Sequence, residues 1–141
     1  MKPQEIFNKA AVHLMGMEGP SLDMEDDVCV YRGKDEDCEF NGQMCAVGLF
    51  IADNHYYEDF EGYGIEFANI ISDAVAKSWG QEGLSNDQLE LLTDLQNAHD
   101  EASRPTYVTL PDHTWSKSIV AALEGVATKF HLRFDPKGAS A

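Results

Sequence analysis

Val28-Cys29-Val30-Tyr31-Arg32-Gly33, followed by Cys38-Glu39-Phe40-Asn41-Gly42-Gln43-Met44-Cys45, is the stretch on which the fold class turns. The first four residues are β-branched, thiol and aromatic side chains closed by Arg32-Gly33, the composition of a short strand. Asn41-Gly42 is the strongest two-residue hairpin signal, because both turn positions require positive φ. Residues 28–46 therefore predict a small antiparallel sheet, a hairpin or three strands. So little β structure cannot stand alone and needs helices over one face.

Those helices are written on either side. Pro3 suits a first helical turn, and Ile6, Phe7, Ala10, Ala11, Leu14 and Met15 recur at helical spacing, predicting a helix from about Pro3 to Met15 that Gly16, Gly19 and Pro20 end. Ser21–Asp27 reads as a polar loop. Cys45-Ala46-Val47-Gly48-Leu49-Phe50-Ile51 is the most continuous apolar run. Periodicity does not separate a buried strand from a buried helical turn over seven residues, and the short buried helix is favoured. Asp53–Gly64 reads as an aromatic, acidic loop. Ile65, Ala68, Ile71 (or Ile70), Val75 and Trp79 mark a further helix closed by Gly80. Leu84-Ser85-Asn86-Asp87-Gln88-Leu89 carries a capping box, Ser85 with Gln88, flanked by a Leu84–Leu89 hydrophobic staple. Leu89, Leu92, Leu95 and His99 then line a helix to about Ala102. Arg104–His113, with Pro105 and Pro111, is a connector. Trp115, Ile119, Ala122 (or Leu123), Val126 and Phe130 predict a last helix, with Lys129, His131 and Arg133 suited to its C-terminal dipole. The expected architecture is α+β: about four helices on a small antiparallel sheet, in a single acidic domain over residues 1–134 with a frayed tail at 135–141.

Charge is concentrated in the middle. Between Asp35 and Ser103 sixteen Asp and Glu stand against a single base, Lys77, so this segment carries −15, the formal charge of all 141 residues, and the two ends cancel. A long acidic stretch repels nucleic acid and anionic membrane and attracts basic protein surfaces. Direct nucleic-acid binding and membrane association are therefore excluded as expectations. No apolar run approaches the roughly 20 residues that cross a bilayer. Met1–Met17 lacks the pattern of a secretory signal, and three irregularly spaced cysteines suit reduced thiols. These features predict a cytoplasmic protein, and a homo-oligomer is compatible with them.

Cys29-Val30-Tyr31-Arg32-Gly33, Cys45-Ala46-Val47-Gly48-Leu49-Phe50-Ile51-Ala52-Asp53, Phe60-Glu61-Gly62 and Leu91-Leu92-Thr93-Asp94-Leu95-Gln96-Asn97-Ala98-His99-Asp100 occur in an order that resembles a family of small uncharacterised proteins of tailed bacteriophages and prophages. There the pattern runs Cys-x-Tyr-Arg-Gly, Cys-Ala-Val-Gly-Cys-Leu-Ile-Pro-Asp, Glu-Gly and Leu-Gln-x-x-His-Asp. Leu49 stands where that family has its second cysteine and Ala52 where it has proline, and an acidic insert surrounds Lys34–Gln43. The resemblance implies a phage accessory protein in the host cytoplasm. It implies no activity.

Three constellations are weighed for chemistry. Cys29, Cys38 and Cys45 with His55 lack the paired spacing that structural zinc uses, so small buried hydrophobes are expected. Asp23–Asp27 opens like a calcium loop but places Val28 where glycine must turn the chain. His99-Asp100, with His55, His113 and Asp112 available, could hold a metal for phosphohydrolysis, yet His99 also completes an apolar stripe. Nucleophile elbows, Walker loops and dinucleotide fingerprints are absent. The expectation is no cofactor and no catalytic residue, with His99, Asp100 and His55 as the metal alternative and a small-ligand sponge as a further one. The favoured reading is a non-enzymatic acidic binder or inhibitor of a host protein, with a nucleic-acid-binding or defence protein as one candidate. The contact residues expected are Tyr56 and Tyr57 as anchors and Glu58, Asp59 and Glu61 as charge steering, since tyrosine is enriched at hot spots.

Overall fold

The computed structural model describes residues 1–17, 22–23, 28–29, 45–56, 69–103 and 115–136. Within them the chain forms α1 (Pro3–Gly16), α2 (Asn69–Ser78), α3 (Asn86–Ser103) and α4 (Trp115–Lys129), with two 3-10 turns at Gly48–Phe50 and Asp53–His55. Extended pairing is limited to β1 (Leu22–Asp23) and β2 (Val28–Cys29), two residues each and antiparallel, with Leu22 opposite Cys29 and Asp23 opposite Val28.

This corrects the α+β expectation. The fold is helical, and no sheet underlies the helices among the described residues. A strand signal does fall on Val28–Cys29, but a pairing two residues long is too short to form a layer, and the core among the described residues is built helix on helix. The hairpin read around Asn41-Gly42 lies outside the described residues, as do Tyr57–Gly64 and the connector Arg104–His113.

α3 and α4 share the largest interface, α1 packs against both, and α2 touches the Asp53–His55 turn. Ile6, Phe7, Ala10, Ala11 and Leu14 of α1 are buried. They meet Leu91, Leu92, Leu95, Ala98 and Ala102 of α3 and Ile119, Leu123, Val126 and Ala127 of α4 in one hydrophobic cluster. Cys45, Ala46 and Val47 have no exposed surface, so the segment expected to be a short buried helix is buried and turns as 3-10 rather than α.

The capping box forms as its residues predict. Ser85 Oγ accepts the Gln88 amide hydrogen at 3.1 Å and Gln88 Oε1 accepts that of Ser85 at 2.9 Å. Gln88 does more, donating from Nε2 to the Met1 carbonyl at 2.9 Å and to Gln81 Oε1 at 3.2 Å. One buried amide thereby starts α3 and holds both the N-terminus and the α2–α3 turn.

Two helices end alike. After α2, Gly80 takes φ 72°, and the Gly80 and Gln81 amides bond back to Lys77 and Ala76. After α4, His131 occupies the same left-handed position at φ 55°, with the His131 and Leu132 amides bonded to Thr128 and Ala127. This terminating motif favours glycine at that position, and a β-carbon there is strained. His131 is exposed and its side chain supports no described contact. Exchanging His131→Gly is therefore expected to raise stability by about 0.5–1 kcal/mol, the relieved strain exceeding the added freedom of the unfolded chain. Urea unfolding checks this, and a lower midpoint would contradict it.

Beyond α4 the chain returns to α1. Gln4 accepts the Arg133 amide hydrogen at 2.9 Å and donates to the Arg133 carbonyl at 3.0 Å. Phe134 meets Phe7 edge to face at 5.4 Å.

Candidate functional site

Two features of α3 bear on function, one inside and one outside. Inside, His99 has no exposed surface. Its Nδ1 lies 3.0 Å from Asp100 Oδ1. As a carboxylate, Asp100 can only accept, which selects the tautomer carrying the proton on Nδ1. Gln96 lies one turn earlier and donates from Nε2 to the same Asp100 oxygen at 3.0 Å, while its Oε1 accepts the Val47 amide hydrogen at 3.3 Å. The His99 ring stands edge-on to Trp115 at 5.5 Å, and Trp115 Nε1–H donates to the Leu14 carbonyl at 3.0 Å. This polar node ties the Cys45–Ile51 segment, α3, α4 and the end of α1 together. A ring with no exposed surface offers a metal or substrate no approach in this conformation, and the node is built to hold the core.

His55 lies half-buried in the Asp53–His55 turn and does not join His99 and Asp100, since no group of three potential ligands occurs among the described residues. His113 and Asp112 lie outside them. Cys45 behaves as a small buried side chain, its sulfur 3.4 Å from the Gly48 amide. The Cys38 position and the Cys29 side chain also lie outside, as does most of Asp23–Asp27.

Outside, Asp87, Glu90, Asp94 and Glu101 are spaced at three, four and seven residues, so they fall in one stripe along α3. At a rise of 1.5 Å per residue the stripe is about 21 Å long. Asp87, Glu90 and Glu101 are exposed, and Asp94 is half-buried. Lys129 of α4 crosses its middle, with Nζ 2.6 Å from Asp94 and 3.5 Å from Glu90. The hydrogen bond to Asp94 raises the Lys129 pKa above the ordinary 10.5, desolvation opposes it, and attraction to Asp94 and Glu90 adds to the rise. A raised folded value means that this contact is fully present below the unfolded pKa and disappears only as pH climbs past the folded one. At neutral pH the stripe thus holds four negative charges and one positive.

Of the contact residues expected from sequence, Tyr56 is half-buried against the core, closing the Asp53–His55 turn. Tyr57, Glu58, Asp59 and Glu61 lie outside the described residues. The α3 stripe went unremarked in the sequence reading, although its three-and-four spacing is a signal that finds it.

No helix among the described residues is long and apolar enough to cross a membrane. No protein-family model, curated protein or solved structure matches the chain.

Proposed function

We propose that this is a non-enzymatic, phage-like accessory protein that binds a basic surface on a host protein. The observation that supports the reading is the alignment of Asp87, Glu90, Asp94 and Glu101 on one outer face of a helix whose other face is locked in the core. A rigid helix presents its charges with no backbone ordering cost on binding, and only the side chains are ordered. Glu58, Asp59, Glu61 and Tyr57 remain the proposed further contact residues, and Tyr56 contributes less as an anchor because part of its side chain packs against the core.

The spacing argues for a general basic patch rather than a strict copy of DNA. Three intervals over about 21 Å of helix axis put the carboxylates about 7 Å apart on average, sparser than the phosphates of a single strand at about 3.4 Å. The host partner therefore needs a row of Lys or Arg, whether or not it binds nucleic acid. Phosphohydrolysis through His99 and Asp100 has no comparable support, because the ring is sealed. The test is capture of a host protein by the native chain and by a variant with the α3 acids reversed to lysine. Loss of capture by a folded variant supports the proposal, and equal capture contradicts it.

A further inference from the structure

Independently of the acidic face, a groove of about 690 Å³ runs between α1 and the wall formed by Leu49–Ala52 and Ser78–Trp79. Such a volume is that of an ordinary small-molecule site. Its composition runs against the rest of the chain. Twenty-five of 141 residues are acidic, yet none of the described lining residues is. Lys9, Val12 and His13 lie at i, i+3 and i+4 on one flank of α1, and Lys9 forms no ion pair among the described residues. Asn8 accepts a hydrogen bond from Gln4 through Oδ1 at 2.8 Å, which leaves its amide nitrogen as a second donor on the same rim.

The opposite wall is aromatic and held in place. Phe50 and Trp79 meet edge to face at 5.4 Å. The Ala52 amide donates to Ser78 Oγ at 2.8 Å, and Ser78 Oγ–H donates to the Ala74 carbonyl at 2.7 Å. The 3-10 turn is thereby fastened to the end of α2 before any ligand arrives, and a prearranged wall lowers the cost of binding. Val12 is 45% exposed at the groove, an apolar side chain left in water opposite a ring.

An apolar, ring-bearing wall facing one uncompensated lysine and an amide donor fits a ligand with a flat apolar body and a negative end. We infer that this groove binds a small planar aromatic anion, the ring against Trp79 and the anionic group at Lys9. The shared chemistry is an aromatic ring carrying one phosphate or carboxylate.

Calorimetric titration with two probes distinguishes these sources, adenosine 5′-monophosphate for the phosphate and indole-3-acetate for the carboxylate. Adenosine and indole serve as their neutral counterparts. One of the two anions is expected to bind at least tenfold more tightly than its neutral counterpart. Lys9→Glu, at an exposed position that leaves the core untouched, is expected to weaken that anion at least tenfold and leave the neutral counterpart unchanged. Trp79→Leu should weaken both. Heat from neither anion up to about 10 mM, equal affinity of Lys9→Glu and the native protein, or sedimentation showing the groove closed by a second copy would each overturn the inference.

Discussion

Replacing Trp115 with alanine is expected to cost about 3–5 kcal/mol, the range for removing a large buried aromatic side chain. Three losses add at this position. The ring is 6% exposed, so nearly all of its surface returns to a cavity or to water. Its edge contact with His99 at 5.5 Å disappears, a pairing worth about 0.5–1.5 kcal/mol in other proteins. The hydrogen bond from Nε1 to the Leu14 carbonyl, which joins the start of α4 to the end of α1, also goes. That last loss is partly buffered, because the Leu14 carbonyl also accepts the Met17 amide hydrogen at 3.3 Å. Trp115→Phe separates the terms, keeping most of the packing at a cost of about 1 kcal/mol for the bond and the smaller ring. Against a typical total of about 5–15 kcal/mol, the alanine change removes a fifth or more of the stability. Urea unfolding of both variants checks the ordering, and an alanine variant within about 1 kcal/mol of the native protein would contradict the central place of this residue.

Reversing Asp87, Glu90 and Glu101 to lysine is expected to weaken binding of the host partner about a hundredfold while leaving the fold intact. Exposed charge pairs are worth about 0.2–1 kcal/mol each. Reversal replaces attraction by repulsion, so roughly 1 kcal/mol per site, or about 3 kcal/mol together, corresponds to two orders of magnitude. Each substitution changes the charge by two, taking the chain from −15 to −9, so it stays well charged and soluble. The three positions are exposed, and Asp94 is left in place to keep its bond to Lys129. Circular dichroism should be unchanged. The matching reversal of Glu58, Asp59 and Glu61 tells whether the loop belongs to the same surface.

What local chemistry specifies was legible before any coordinates. Pro3 at the start of α1, the Ser85–Gln88 capping box and the Trp115–Ile119–Val126 stripe each depend on residues a few turns apart at most, whereas Ala122 or Leu123 was left open and Leu123 is the buried one. The reach of Gln88 to Met1, 87 positions away, was not legible, nor was that of Gln96 to Val47 or Lys129 to Asp94, because nothing within a window of sequence reports a distant partner. The sheet was overread for the same reason. Val28-Cys29-Val30-Tyr31 and Asn41-Gly42 favour extended pairing locally, but whether strands build a core depends on what else competes to fill it. Here the faces of four helices and the Cys45–Ile51 segment fill it. His99 was read two ways from its position at the end of an apolar stripe, and in the structure its ring has no exposed surface. The groove, acid-free among its described residues, could be seen only once α1 and the Phe50–Trp79 wall stood opposite each other.

The claim at the centre of this account is that the outer face of α3 is the binding surface. Its most direct measurement is the dissociation constant of a captured host protein for the native chain and for the Asp87, Glu90 and Glu101 reversal, at low and at physiological salt. Screening lengths shrink from about 30 Å at 0.01 M to about 8 Å at 0.15 M. The account predicts native binding that weakens steeply across that range and reversed-chain binding about a hundredfold weaker at low salt. Affinities that are indifferent to salt, and equal for the two chains, would contradict it.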